Sequence, residues 1–196
     1  MTECANKQRL TPAERTLLLQ MARAAIEDAV RQSDALRPLI KDCELTPGLL
    51  STCGVFVSLK KQGLAATGRG ELRGCIGNVA SSKPLYRNLA DIAPKSALED
   101  PRFPPLTAAE LGLVQIEISV LTPLEELRRV EDLVIGRDGL QLTKGSRRAL
   151  FLPQVAVEAG WKRQELLENL ALKAGLERSG WKGAKFHVFR AEHFSE

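Results

Sequence analysis

The segment Gly70-Glu71-Leu72-Arg73-Gly74-Cys75-Ile76-Gly77-Asn78 most narrows what this chain can become. It reads as a short β-strand ending in a tight turn. Side chains alternate faces along a strand, so Leu72, Gly74 and Ile76 share one face and Arg73, Cys75 and Gly77 the other. The second face then presents a guanidinium and a thiol about 7 Å apart. A cation beside a thiol favours the thiolate, the nucleophilic form, which makes Cys75 a candidate catalytic residue and Arg73 a candidate ligand-binding one. Gly74 and Gly77 leave space beside the sulfur for a ligand or another backbone, and they join Arg73 as ligand-binding candidates. The same residues admit a packing role, because cysteine is among the most buried residue types.

At 196 residues the chain is expected to form a single domain over 1–196, built as one core or as two interleaved subdomains. Its hydrophobic fraction of 44% is enough for a sizeable core. No apolar run of about 18 residues occurs, so no membrane span is expected. Met1-Thr2-Glu3-Cys4-Ala5-Asn6-Lys7 lacks the apolar stretch of a signal peptide, and a cytoplasmic location is expected. The four cysteines, Cys4, Cys43, Cys53 and Cys75, include no C-x-x-C, so neither a disulfide framework nor an iron–sulfur cluster is expected. The net charge of +4 comes from 28 basic residues interspersed with 24 acidic ones. Nucleic-acid binding needs a clustered basic patch, so solvated mixed charge is the preferred reading.

Along the chain, Thr11-Pro12-Ala13-Glu14 is a capping box that opens an amphipathic helix to about Ser33. A loop is expected over 34–52, and a strand over 55–60. That strand pairs antiparallel with the 72–78 strand through a turn beginning Lys61-Gln62-Gly63. Gly68-Arg69-Gly70-Glu71-Leu72-Arg73 is not a dinucleotide motif, because Arg73 replaces the third glycine and the run enters a strand. Ser81-Ser82-Lys83-Pro84 starts a second helix, which Pro94 should kink or interrupt. The stiff loop Asp100-Pro101-Arg102-Phe103-Pro104-Pro105 displays Arg102, suited either to gripping an anion or to pairing with Asp100. Thr107-Ala108-Ala109-Glu110 is a second capping box. The alternating strand 114–120 puts Gln115, Glu117 and Ser119 on one face. Glu117 could oppose Arg73 or Arg102 there as a general base or metal ligand, or simply face solvent. A short helix or turn is expected at 124–130, and a hairpin of 133–135 with 140–143 around Gly136-Arg137-Asp138-Gly139. Then come a strand at 147–152, a helix at 164–174 ended by Gly175, and a closing strand at 186–189. His187 and His193 have no ligand spacing, so no metal is assigned to them. The sum is an α+β fold of mainly antiparallel sheets with flanking helices.

Leu72-Arg73-Gly74-Cys75-Ile76-Gly77 resembles the signature of the AMMECR family, and other blocks agree in order. They are Gly54-Val55-Phe56-Val57-Ser58-Leu59, Asp100-Pro101-Arg102-Phe103-Pro104-Pro105, Ile116-Glu117-Ile118-Ser119-Val120-Leu121-Thr122-Pro123, Leu150-Phe151-Leu152-Pro153-Gln154-Val155-Ala156, Gly160-Trp161 and Lys173-Ala174-Gly175-Leu176. The chain departs from the family pattern at Ala171, where members often carry cysteine, and at Asn78, where serine is usual. The resemblance implies a two-subdomain fold and membership of the AmmeMemoRadiSam set, with Memo-like and radical-SAM proteins as partners. It implies no particular reaction or cofactor. Three functions follow as expectations. The first is an enzyme or enzyme component acting on an anionic small molecule or a partner protein through Cys75, Arg73, Arg102 and Glu117. The second is a non-catalytic binding or scaffold module. The third and least favoured is nucleic-acid binding.

Overall fold

The computed structural model describes residues 9–61 and 71–196. Gly70, the Gln62-Gly63 turn and the rejected glycine-rich run at 68–70 lie outside the described residues. The chain divides into two compact units, one ending at Leu121 and rejoined by Glu192–Glu196, the other Thr122–Ala191. Each is built on a four-stranded antiparallel sheet.

In the first unit, helix α1 (Pro12–Arg31) starts at the foreseen capping box, with Thr11 accepting from the Glu14 amide. The 34–52 segment is not a plain loop: it holds α2 (Leu36–Asp42) and α3 (Pro47–Leu50). Thr46 caps α3 and Pro47 occupies its first turn, a start signal that a short segment hides. The sheet is formed by β1 (Gly54–Lys61), β2 (Glu71–Asn78), β3 (Val114–Leu121) and β8 (Ala191–Ser195) in the order β2-β1-β3-β8. The closing strand β8 was not foreseen from sequence. Helix α4 (Leu85–Leu98) runs on through Pro94, whose missing N–H costs one helical bond without ending the helix. Val55, Val57, Leu59, Ile116 and Ile118 on one sheet face are fully buried with Leu18, Met21 and Ile26 of α1 and Leu85 and Leu89 of α4. Fully burying one such side chain stabilises by about 1.5–3 kcal/mol, so this face is held firmly against its helices. Cys53 is disulfide-bonded, against the expectation of none, whereas Cys43 and Cys75 are free thiols.

The second unit's sheet has the order β4-β7-β5-β6, from β4 (Glu125–Leu127), β5 (Gly139–Lys144), β6 (Arg147–Phe151) and β7 (Lys185–Phe189). Its core sets Leu140, Leu142, Ala149 and Phe186 against α5 (Pro153–Glu158) and α6 (Arg163–Lys173). Two local expectations fail here. Residues 125–127 are strand β4 on β7, not a helix. No strand forms at 133–135, so the hairpin around Gly136 does not exist. The near-buried Asp138 carboxylate accepts the Val134 N–H at 3.0 Å, and the Asp138 N–H donates to the Val134 carbonyl at 3.0 Å. This closes the segment on itself before β5 begins.

Gly74 shows how closely α4 lies on β2. A Cβ there would sit 2.1 Å from the Ser96 carbonyl oxygen, a backbone atom that cannot swing away. Gly74→Ala is expected to lower the unfolding free energy by about 2–3 kcal/mol, measured by urea titration.

Candidate functional site

The strand β2 lies at the edge of its sheet, and its register carries a bulge. Gly74 pairs with Leu59 and Leu72 with Lys60, so Arg73 has no partner on β1. A bulge breaks the strict alternation of faces and re-aims the extra side chain. Arg73 is accordingly buried, at 4% exposure, and its fork grips Glu110, Nε to Oε1 at 2.8 Å and Nη2 to Oε2 at 3.1 Å. Nη1 donates to the Pro104 carbonyl at 2.9 Å and Nη2 to that of Pro105 at 3.4 Å. Glu110 also takes the Thr107 N–H and hydroxyl, each at 3.0 Å. The expected second capping box does not form: the Glu110 N–H donates to the Thr107 carbonyl at 3.0 Å and not to its hydroxyl. The Arg73 fork, followed by the Thr107 bonds, lowers the Glu110 carboxyl to about 2. Arg73 therefore anchors the loop, with its guanidinium donors engaged by protein acceptors.

The same loop holds Cys75 by its main chain. Asp100 Oδ2 accepts the Cys75 N–H at 2.8 Å, and Arg102 Nη2 donates to the Cys75 carbonyl at 3.3 Å. Asp100 is 5% exposed and receives Arg102 through Nε at 3.0 Å and Nη2 at 2.7 Å. These bonds from Arg102, with the Cys75 amide, hold the Asp100 carboxyl far below the usual carboxylate range despite its burial. The Arg102 guanidinium is raised in return, chiefly by its hydrogen bonds to Asp100. Of the two sequence alternatives for Arg102, the structure shows the pairing with Asp100; its side chain is nonetheless 56% exposed and lies beside the Cys75 side chain. Phe103 supports it, 5.4 Å from ring centre to guanidinium.

The sheet face opposite the helices is polar. Ser58 of β1 stands directly between Cys75 of β2 and Glu117 of β3 in the register. The Ser58 hydroxyl donates to the Cys75 sulfur at 3.2 Å. Glu117 meets neither Arg73 nor Arg102. Its Oε1 pairs with Lys60 Nζ at 2.8 Å and its Oε2 lies 3.8 Å from His193 Nε2. The other ring nitrogen of His193 is 3.2 Å from the buried Ser119 hydroxyl. With strands about 4.8 Å apart, the Cys75 and Glu117 backbones are about 10 Å apart across Ser58. Gly77 does not open space for a ligand either, since the Phe56 ring occupies the position of its missing side chain, a Cβ there lying 2.2 Å from Cγ.

The structure thus places Cys75 and Glu117 in one row across the middle of the sheet, with Arg102 at the β2 edge beside Cys75, and it commits Arg73, Gly74 and Gly77 to contacts within the protein. Sequence reasoning named Asp100 as a partner for Arg102 and Ser119 on the face of Glu117, and it missed Ser58, Lys60 and His193 as members of the cluster and Glu110 as the partner of Arg73. Ser58 and Lys60 were legible in principle from the alternation of β1. His193 depends on β8, a strand too weakly patterned to read. Among the described residues no group of three or more His, Cys, Asp or Glu converges as a metal site. None of the described helices is long and apolar enough to cross a membrane.

The family model for AMMECR1 matches residues 19–194. The chain belongs to the AMMECR1 family. A protein of Thermofilum pendens is 41% identical to it over 199 residues, covering 96% of this chain and 92% of that one. A protein of Methanothermobacter thermautotrophicus is 40% identical over 188 residues, covering 92% of each. The crystal structure of an uncharacterised protein from Pyrococcus horikoshii superposes with a TM-score of 0.82 at 37% identity, over 91% of this chain and 89% of that one.

Both loop carboxylates have folded-state pKa values below their unfolded ones. Their contribution to stability is therefore present above about pH 4 and is lost as pH falls, for Glu110 through about 2. Glu110→Gln leaves the Arg73 charge buried without its counterion, and is expected to cost about 2–3 kcal/mol at pH 7. The gap to the wild type should narrow steadily below pH 4 as Glu110 itself becomes neutral, read from urea midpoints across pH.

Proposed function

We propose that this AMMECR1-family chain is a cytoplasmic enzyme or enzyme component in which Cys75 is the nucleophile. It acts on an anionic small molecule or on a group carried by a partner protein. The supporting observation is the setting of the Cys75 sulfur, which takes the Ser58 hydroxyl at 3.2 Å and lies beside the exposed Arg102 guanidinium. A donor and a cation beside a sulfur favour its anionic, attacking form. Across Ser58, Glu117 with Lys60 and His193 supplies groups able to take up and return a proton. The separation of about 10 Å leaves room for a small substrate to lie over Ser58. Memo-like and radical-SAM proteins are the partners that the family resemblance implies.

Cys43 is a second free, half-buried thiol in the same unit and serves as an internal control. In the folded protein, Cys75 is expected to react with iodoacetamide at least about tenfold faster than Cys43, followed site by site by mass spectrometry. Ser58→Ala should slow Cys75 alone. Protection of Cys75 until unfolding would overturn the reading and leave a non-catalytic binding module.

A further inference from the structure

One residue of the loop is over-qualified for holding a backbone. Next along β2, the Ile76 N–H is met by a neutral hydroxyl, Ser96 Oγ, at 3.1 Å. The Cys75 N–H is met instead by a buried carboxylate, Asp100, at 2.8 Å. A buried carboxylate carries a desolvation cost that a hydroxyl does not, and it needs a cation beside it. Asp100 has one in Arg102, through two side-chain bonds and the Arg102 N–H at 3.1 Å. The pair is bonded to the main chain of Cys75 itself, at its N–H and its carbonyl. From the covalent geometry of Cys75, the sulfur is within about 6 Å of the Asp100 carboxylate. The cation is the exposed member and the anion the buried one. A molecule approaching Cys75 meets the guanidinium first, with its charge largely offset from behind.

We propose that Asp100 is a specificity-determining, positioning residue that sets how much of the Arg102 charge is felt at Cys75, and so how strongly the site prefers anionic over neutral electrophiles. This rests on the reading of Cys75 as a nucleophile. Asp100 does not touch the substrate; it acts through Arg102 and through the Cys75 main chain. The substrate class it selects carries a carboxylate or another singly charged acid group close to its electrophilic carbon. A fully exposed Arg102 would favour more highly charged molecules, and the Asp100 carboxylate tempers that preference.

The test compares iodoacetate with iodoacetamide, which are similar in size and leaving group and differ in charge. Both alkylation rates are measured at Cys75 and at Cys43 in the full-length wild type, Asp100→Asn, Arg102→Lys and Arg102→Gln, at one pH. Thermal unfolding confirms that each variant is folded. The quantity read is the iodoacetate-to-iodoacetamide rate ratio at Cys75 divided by that at Cys43. Asp100→Asn should raise it about threefold to tenfold, the range for removing a unit charge at ~6 Å with an effective dielectric between about 80 and 40. Arg102→Gln should lower it by a similar factor, and Arg102→Lys should hold it near the wild-type value. Raising the salt to about 1 M should compress these differences, which a purely structural loosening would not produce. Cys75 that labels in the wild type with a ratio unmoved by both Asp100→Asn and Arg102→Gln overturns the role of Asp100 while leaving the nucleophile reading intact. Cys75 that labels with neither reagent in the wild type overturns that reading and the role of Asp100 with it.

Discussion

A guanidinium buried at the open edge of a sheet organises this site. Arg73 is 4% exposed, and its counterion Glu110 closes on Thr107 in a turn more than thirty residues further along the chain. Breaking a buried ion pair by removing one member typically costs about 3–5 kcal/mol, because the other charge is left stranded. The pair therefore commits the loop 100–110 to the edge of β2. Three prolines stiffen that loop, and two of them lend their carbonyls to Arg73. Asp100 and Arg102 then meet the N–H and carbonyl of Cys75. An edge strand normally exposes such groups to solvent or to another chain. Here a side-chain clamp takes the place of a neighbouring strand, and it does so at the one free thiol on β2.

Holding the main chain of Cys75 fixes where its side chain goes. The apolar face of the sheet is committed to α1 and α4, so the opposite face is the one on which chemistry can be assembled. Cross-strand register does the assembling: Cys75, Ser58 and Glu117 occupy one row on three strands, two of them consecutive and the third beyond α4. Lys60 is two residues from Ser58 on the same face, and β8 brings His193 to Glu117. The bulge at Arg73 lies beside this row and leaves its register regular, with Cys75 against Ser58 and Gly74 against Leu59.

Much of the fold was readable because it rests on local signals. The first capping box, the β1–β2 pairing, the alternating β3 and the glycine-ended α6 all formed as read. The missed elements are short or depend on distant partners. Strand β4 has three residues and is a strand only because β7 pairs with it. Asp138 turned an expected hairpin into a loop by capping Val134. In the site, strict alternation put Arg73 beside Cys75, and the bulge overruled it. A bulge arises from what both strands and the loop demand together, which one strand's sequence does not display. Of the two neighbours foreseen for the glycines, a ligand or another backbone, Gly74 has the second, the Ser96 carbonyl of α4, whereas at Gly77 the Phe56 ring fills the space. Glu117 was placed on the correct face, with its partners misassigned.

The loop clamps Cys75 through its main chain. The most direct measurement is native-state hydrogen exchange of the Cys75 amide in the wild type and in Asp100→Asn and Glu110→Gln. The amide should be strongly protected in the wild type and lose protection in both variants, while amides of β1 and β3 stay protected. A Cys75 amide that exchanges freely in the wild type, or whose protection follows only global unfolding in the variants, would contradict the clamp.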